Sequence, residues 1–183
     1  MPIPNPDYYE KYSKECKIYV ESGTYIGDSL EVAINSNLFD EFHSIEVVPE
    51  LYNLAVEKFK NDDRVKIWLG YSPDVLRDSI IPNLKSRATF WLDGHPCGDG
   101  KTHGYTKYGN CPLLHEIDAI NESEIKNHII FMDDQRLFST DIFDNITKED
   151  YCNKVLEVNS NYKFEHLDGG PGHLSDDIIV AYL

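Results

Sequence analysis

"YVESGTYIGDS", residues 19–29, decides how the chain is read. An apolar run ends at Glu21, Gly23 and Gly27 frame a short turn, and a helix-like stretch begins at Asp28. Glycine at such a turn permits φ > 0 and lets backbone approach a ligand closely. The helix N-terminus beyond it adds oriented N–H groups. The same turn also serves as a plain strand-to-helix connection, so the segment alone leaves both readings open. Its spacing, Glu-x-Gly-x-x-x-Gly, is not the G-x-G-x-x-G of dinucleotide binders.

Outward from this turn, apolar runs alternate with helical patterns. Strands are predicted at 17–21, 42–48, 64–70, 88–93 and 128–134, with helices at 28–37, 49–60, 72–84, 112–122 and 147–160. Asp28 or Ser29 is expected to cap the first of these helices. Pro49 suits the first turn of the second, where Leu51, Leu54, Ala55 and Phe59 form an apolar stripe. Pro82 limits the third, and Thr147 caps the last. The segments 162–167 and 177–183 close the chain as an antiparallel hairpin around "DGGPGHLS". This order predicts an α/β, Rossmann-like three-layer sandwich. Its mostly parallel, seven-stranded sheet carries an antiparallel C-terminal strand at one edge. In such folds ligands gather at the carboxyl ends of the strands.

The acids are placed accordingly. "FWLDGH" ends a strand in Asp93-Gly94-His95, and "HIIFMDDQR" ends another in Asp133-Asp134. Buried carboxylates are costly unless paired or bound to a cation. Earlier along the chain, "IEVVPE" puts Glu46 near the end of the second strand, where an acid can accept both ribose hydroxyls of an adenosine. "LGYSPDVL" puts Gly70, Tyr71 and Ser72 after the third, where an adenine can rest.

Bulk composition narrows the partners. The 183 residues fit one domain with a real core. Lys plus Arg number 17 against 32 Asp plus Glu, a formal net charge of −15. That disfavours nucleic acid and anionic membranes as partners. It suits a neutral substrate, a metal or a positively charged ligand, and equally well solubility alone. No apolar run approaches the ~20 residues of a membrane span. The N-terminus shows no export signal, and the four cysteines include no C-x-x-C. Free thiols in a cytoplasmic location are expected. Cys97, His103, Cys111 and His115 form an alternative zinc set, but their spacing matches no common module.

The ordered set Glu21-Gly23-Gly27, Glu46, Gly70-Ser72 and Asp93 resembles class I S-adenosylmethionine-dependent methyltransferases. The resemblance runs from Lys17 to Leu183, leaving 1–16 as an N-terminal extension before a methyltransferase domain at 17–183. It departs at Tyr25, where the family often has glycine. It implies that Glu21, Ser22, Gly23, Thr24, Gly27, Ser29, Glu46, Val47, Gly70, Tyr71, Ser72 and Asp93 surround S-adenosylmethionine. The pair "WLDGH" and "FMDDQR" is similar to the metal-dependent sugar O-methyltransferases of the macrocin and rhamnosyl type. That likeness implies a divalent cation, magnesium or manganese, on Asp93, Asp133 and Asp134. It also implies a catalytic site at Asp93 and His95, with His95 as base where the sugar-directed enzymes usually have a carboxylate. The acceptor implied is a sugar hydroxyl on a glycan or small glycoside.

Chemistry of the residues supports the same constellation. A bound cation lowers the pKa of an oxygen it holds, carboxylates suit hard metals, and imidazole titrates near neutrality. Other readings remain: a catechol-type O-methyltransferase, a non-methylating nucleotide-binding module such as an oxidoreductase, or a non-catalytic binding domain. The acids themselves have plain alternatives as turn and cap residues, and Arg136 can pair with one and neutralise it without metal. The loop Gly94–Cys111, about 18 residues, is long enough to suspect function. Asp99, Lys101, His103, Tyr105 and Tyr108 in it offer acceptor contacts. Related enzymes often carry extra N-terminal helices over the acceptor. The chain is therefore read as a minimal enzyme or as one module of a larger glycan-modifying protein, of undetermined oligomeric state.

Overall fold

The computed structural model describes residues 4–96, 105–169 and 175–183. Seven strands form one sheet: β1 (Ile18–Ser22), β2 (Glu41–Glu46), β3 (Val65–Leu69), β4 (Ala88–Leu92), β5 (Ile129–Met132), β6 (Lys163–Leu167) and β7 (Ile178–Tyr182). Their order is β3-β2-β1-β4-β5-β7-β6. The first five are parallel, and β7 runs antiparallel to both β5 and β6. The predicted sheet is therefore present. The antiparallel strand is not at its edge, however. β7 is wholly buried up to Ala181 while β6 is half-exposed, so the apolar run IIVA takes the inner place. The order reverses between β1 and β4, and there the rim opens for a ligand.

Alternation along the strands makes two cores. Val20, Phe90, Ile130 and Ile179 face one side, where they meet Leu76, Ile117, Ile120 and Val155. Tyr19, Trp91, Phe131 and Val180 face the other, where they meet Leu30, Ala33 and Phe39. Helices α2 (Asp28–Asn35) and α3 (Pro49–Phe59) follow β1 and β2. A four-residue α4 (Ser72–Val75) runs into a π turn, Leu76–Ile80, and a 3-10 turn, Ile81–Asn83, that holds Pro82. The remaining helices are α5 (Leu113–Asn121) and α6 (Lys148–Val158). Thr147 closes a capping box with Asp150 at the start of α6, as expected.

Two local expectations differ. The cap of α2 is Gly27, at φ 79 with no side-chain bond, rather than Asp28 or Ser29. Ser29 lies inside the helix and turns inward. On α3, Leu51 and Ala55 are buried but Leu54 is 61% exposed. At about 100° per residue, Leu54 falls at the margin of the stripe, where no neighbour covers it. Residues 6–12, within the segment set apart as an extension, form α1 (Pro6–Tyr12), capped by Asn5. Its Tyr9 is fully buried and meets Tyr19, Phe39, Trp91 and Phe131 edge-on, at ring separations of 5.6–6.4 Å. Such aromatic pairs each contribute about 0.5–1.5 kcal/mol beyond burial, so α1 packs as part of the sandwich. Among the described residues no helix is long and apolar enough to cross a membrane.

Candidate functional site

Five parallel strands deliver their last residues to one rim. After β1, Gly23 has φ 84, and its N–H and that of Thr24 reach across to the Ile45 carbonyl. A Cβ on Gly23 would sit 2.2 Å from the Asp93 carbonyl oxygen. Glycine is needed there twice over, for the backbone angle and for the contact between the β1 and β4 turns. Tyr25, where the resemblance lacked a glycine, nonetheless takes φ 49. Its N–H donates to Glu46 Oε2 at 2.8 Å, and that of Val48 donates to Oε1 at 2.9 Å. Glu46 is thus fixed at the end of β2 by backbone N–H groups on both of its oxygens.

A cleft of about 440 Å³, open at its mouth, is lined by Gly23, Tyr25, Ile45, Glu46, Val47, Leu51, Gly70, Ser72, Asp93, Gly94 and His95. An adjoining one of about 420 Å³ adds Tyr71, Pro96, Tyr105 and Tyr108. Of the cofactor residues expected, Gly23, Glu46, Val47, Gly70, Tyr71, Ser72 and Asp93 line these clefts. Glu21, Ser22, Thr24, Gly27 and Ser29 do not. Glu21 is fully buried and accepts from Ser44 Oγ at 2.6 Å, Ser29 Oγ at 2.9 Å and Tyr19 O–H at 3.2 Å. Burial pushes its pKa up to about 7 against these hydroxyls. Thr24 pairs with Ser44, and Ser22 Oγ accepts from the Asp93 N–H at 3.3 Å. These residues brace the turn from behind.

The acids of β4 and β5 converge. His95 Nε2 lies 2.9 Å from Asp93 Oδ1 and 3.0 Å from Asp134 Oδ2, although its N–H is aimed cleanly at neither. Burial alone would lower the pKa of His95, but Asp134 and Asp93 overcome it and hold the imidazolium to about 10. Asp134 takes the left-handed conformation, φ 63. Burial would raise its pKa, but His95 and Arg136 hold it below the usual carboxylate range. Asp133 is 1% exposed; Oδ1 accepts from the Asp134 N–H at 2.9 Å, and Oδ2 is buried with no partner among the described residues. Burial, then the charges of Asp93 and Asp134, raise the Asp133 pKa well above that range. Burial also raises that of Asp93.

An orphaned carboxylate oxygen among further buried acids fits a hard cation. The three residues assigned to the metal are divided between two groups that share Asp134: ligand atoms of Asp93, His95 and Asp134 lie within 4.8 Å of one another, and so do those of Asp133, Asp134 and Asp177. Arg136 does pair with Asp134, as the alternative held, but it leaves Asp133 unsatisfied. Cys97 and His103 of the alternative zinc set lie outside the described residues, as do Asp99 and Lys101 of the loop. Cys111 is a buried free thiol, its pKa pushed up to about 12 by burial, and His115 packs against Tyr108 with ring centroids 5.0 Å apart and planes tilted by 51°.

Three further residues shape the site without an obvious sequence signal. Glu116 of α5 is buried beneath Gly94 and accepts from Ser72 Oγ. A Cβ on Gly94 would come within 2.8 Å of its Oε1. Tyr25 lines the cleft where a glycine was the motif's rule. Asp177, just before β7, completes a second group of acids with Asp133 and Asp134.

No protein-family model matches the chain, and no curated protein matches it in sequence. Solved structures do match in shape. The chain is similar to an O-methyltransferase from Bacillus cereus in complex with SAH, with TM-score 0.57 and 15% identity, over 97% of this chain and 78% of that one. It is similar to the SAH-bound methyltransferase PaMTH1 of Podospora anserina, with TM-score 0.57 and 16% identity, over 95% and 74%. It is also similar to spermidine synthase from Thermotoga maritima, with TM-score 0.57 and 10% identity, over 93% of this chain and 54% of that one. The fold is that of the class I methyltransferases. At such identities the likeness establishes the fold alone, and the chain spans only about half the spermidine synthase.

Proposed function

We propose that the chain is an S-adenosylmethionine- and divalent-metal-dependent O-methyltransferase acting on a sugar hydroxyl. The observation that carries this reading is a shared boundary. Asp93 and His95 belong both to the acid cluster and to the cleft floored by Glu46 and Gly23. A cofactor in that cleft and a cation on those acids would be neighbours. Two O-methyltransferase or methyltransferase structures of the same fold carry SAH.

In this reading Glu46 receives the ribose hydroxyls, with Val47, Tyr71 and Ser72 at the adenine and Gly23 at the methionine end. Asp93, Asp133 and Asp134 hold the metal, and their oxygens suit magnesium or manganese. When bound, the sulfonium supplies the methyl group and the cation supplies Lewis acidity. The chain's own contribution is to fix the acceptor oxygen in line and to exclude water. His95 takes the hydroxyl proton only when another cation engages Asp93 and Asp134, since both now hold it protonated.

A second reading has its own support. The imidazolium between Asp93 and Asp134 is an organic cation already seated on the acids, so an amine acceptor would find the same partners without metal. One of the fold neighbours is a spermidine synthase. Incubation with methyl-labelled S-adenosylmethionine and a panel of glycosides, catechols and amines, with and without EDTA, separates the readings. Label on a glycoside, lost in EDTA, is expected. Label on a catechol would move the acceptor class, and label on an amine in EDTA would favour the second reading. No transfer, together with no cofactor binding by calorimetry, would overturn both.

A further inference from the structure

Arg136 and Asp177 touch the acid cluster and have no part in the mechanism above. Arg136 stands in the 3-10 turn Gln135–Leu137, directly after the two acids of β5. Asp177 comes from the far end of the chain, brought to the rim because β7 pairs with β5. One guanidinium nitrogen, Nη1, contacts both Asp134 Oδ1 and Asp177 Oδ2. Asp177 is held in turn: its Oδ1 accepts from the Arg136 N–H at 3.3 Å, and its carbonyl accepts from the Gln135 N–H at 2.9 Å. It is only 2% exposed, and it offers an oxygen within 4.8 Å of oxygens of Asp133 and Asp134.

The arrangement sets two cations against each other. Asp133 Oδ2 is buried without a partner among the described residues, and a cation would satisfy it. A metal there also needs Asp134, one oxygen of which already faces Arg136. Arginine cannot shed its proton in a protein, so its charge can only be shared or drawn aside. The group placed to share it is Asp177, on the same nitrogen.

We infer that Arg136 is a resident counter-cation that opposes divalent metal at Asp134, and that Asp177 is a positioning residue that draws off its charge and so sets the metal affinity of the cluster. The inference rests on the metal-dependent reading proposed above. It differs in sign from a merely structural role. If Arg136 only oriented Asp134, removing it would weaken metal binding; if it competes, removing it tightens binding.

The test is calorimetric titration of manganese chloride into chelator-treated full-length protein, with free manganese followed by electron paramagnetic resonance. Arg136→Gln should tighten manganese binding by about tenfold, and Asp177→Asn, which leaves the guanidinium to Asp134 alone, should weaken it by about tenfold. The double variant should bind about as tightly as Arg136→Gln and so roughly a hundredfold more tightly than Asp177→Asn, because without the guanidinium Asp177 has no charge to draw off, and the comparison with Asp177→Asn stands even if Arg136→Gln alone does not fold. Weaker binding in both single variants, equal binding in all, or a double variant no tighter than Asp177→Asn overturns the inference and leaves the metal reading intact. No manganese binding by the wild-type protein overturns the metal reading, and the inference with it.

Discussion

Glu21 and Asp133 end strands of the same sheet, both buried, and their surroundings treat them in opposite ways. Glu21 receives three hydroxyls, from Tyr19, Ser29 and Ser44. Asp133 receives one backbone N–H and keeps an oxygen with no partner, beside Asp93 and Asp134. The β1–β2 half of the rim is thus internally satisfied and offers a finished cleft wall. The β4–β5 half leaves a buried carboxyl oxygen that none of the described groups meets. A buried acid that its protein has satisfied braces the fold, whereas one left unsatisfied is the place to test for a ligand.

The largest test of this contrast removes the unsatisfied charge. Asp133→Asn should lower methyl transfer by roughly 10³-fold or more, since several kcal/mol of metal assistance would be lost. In EDTA the same variant should melt at a higher temperature than wild type, because carboxylate repulsion is relieved. A lower melting temperature in EDTA would mean that Asp133 is already satisfied. Next, Gly23→Ala strikes the seam where the two halves touch. A left-handed backbone and a Cβ driven against the Asp93 carbonyl should together cost about 2–4 kcal/mol in urea unfolding. Wild-type stability would show that the turn relaxes freely and that the halves are not locked together.

Smaller effects belong to the finished half. Glu46→Gln should weaken S-adenosylmethionine binding roughly 10- to 100-fold by calorimetry, through loss of charge-assisted hydrogen bonds. Unchanged affinity would remove Glu46 from the cofactor site. Glu21 gives the smallest effect, and its sign follows from its raised pKa. The folded state retains the Glu21 proton up to a pKa of about 7, while the unfolded chain releases it near 4.5. The folded state thus binds the extra proton in between, and this contribution to stability is full below about 4.5 and lost as pH rises to 7. Glu21→Gln should flatten that pH dependence between about 4.5 and 7. An identical pH profile in the variant would show that Glu21 is ionised throughout.

Much of this was legible in the sequence because it is local. Strand runs ending in Glu46, Asp93 and Asp133-Asp134 mark a rim once the βα order is read, and glycine at Gly23 announces a turn that a side chain would block. Glu21 was misleading for a related reason. Its position at a strand end was read correctly, but strand alternation does not tell whether hydroxyls from α2 and β2 will claim the side chain. Leu54 shows the same limit, since periodicity marks a stripe but not where its cover stops.

What the sequence determined by itself was the succession of elements and the chemistry at their ends, because side-chain period and turn residues act over a few neighbours. Only the tertiary structure decided that Tyr9 joins the aromatic core, that β7 slips between β5 and β6, and that Asp177 thereby meets Asp134 across one guanidinium. Electrostatic balance at the rim depends on distances between residues far apart in the chain, and those distances exist only once the strand order is set.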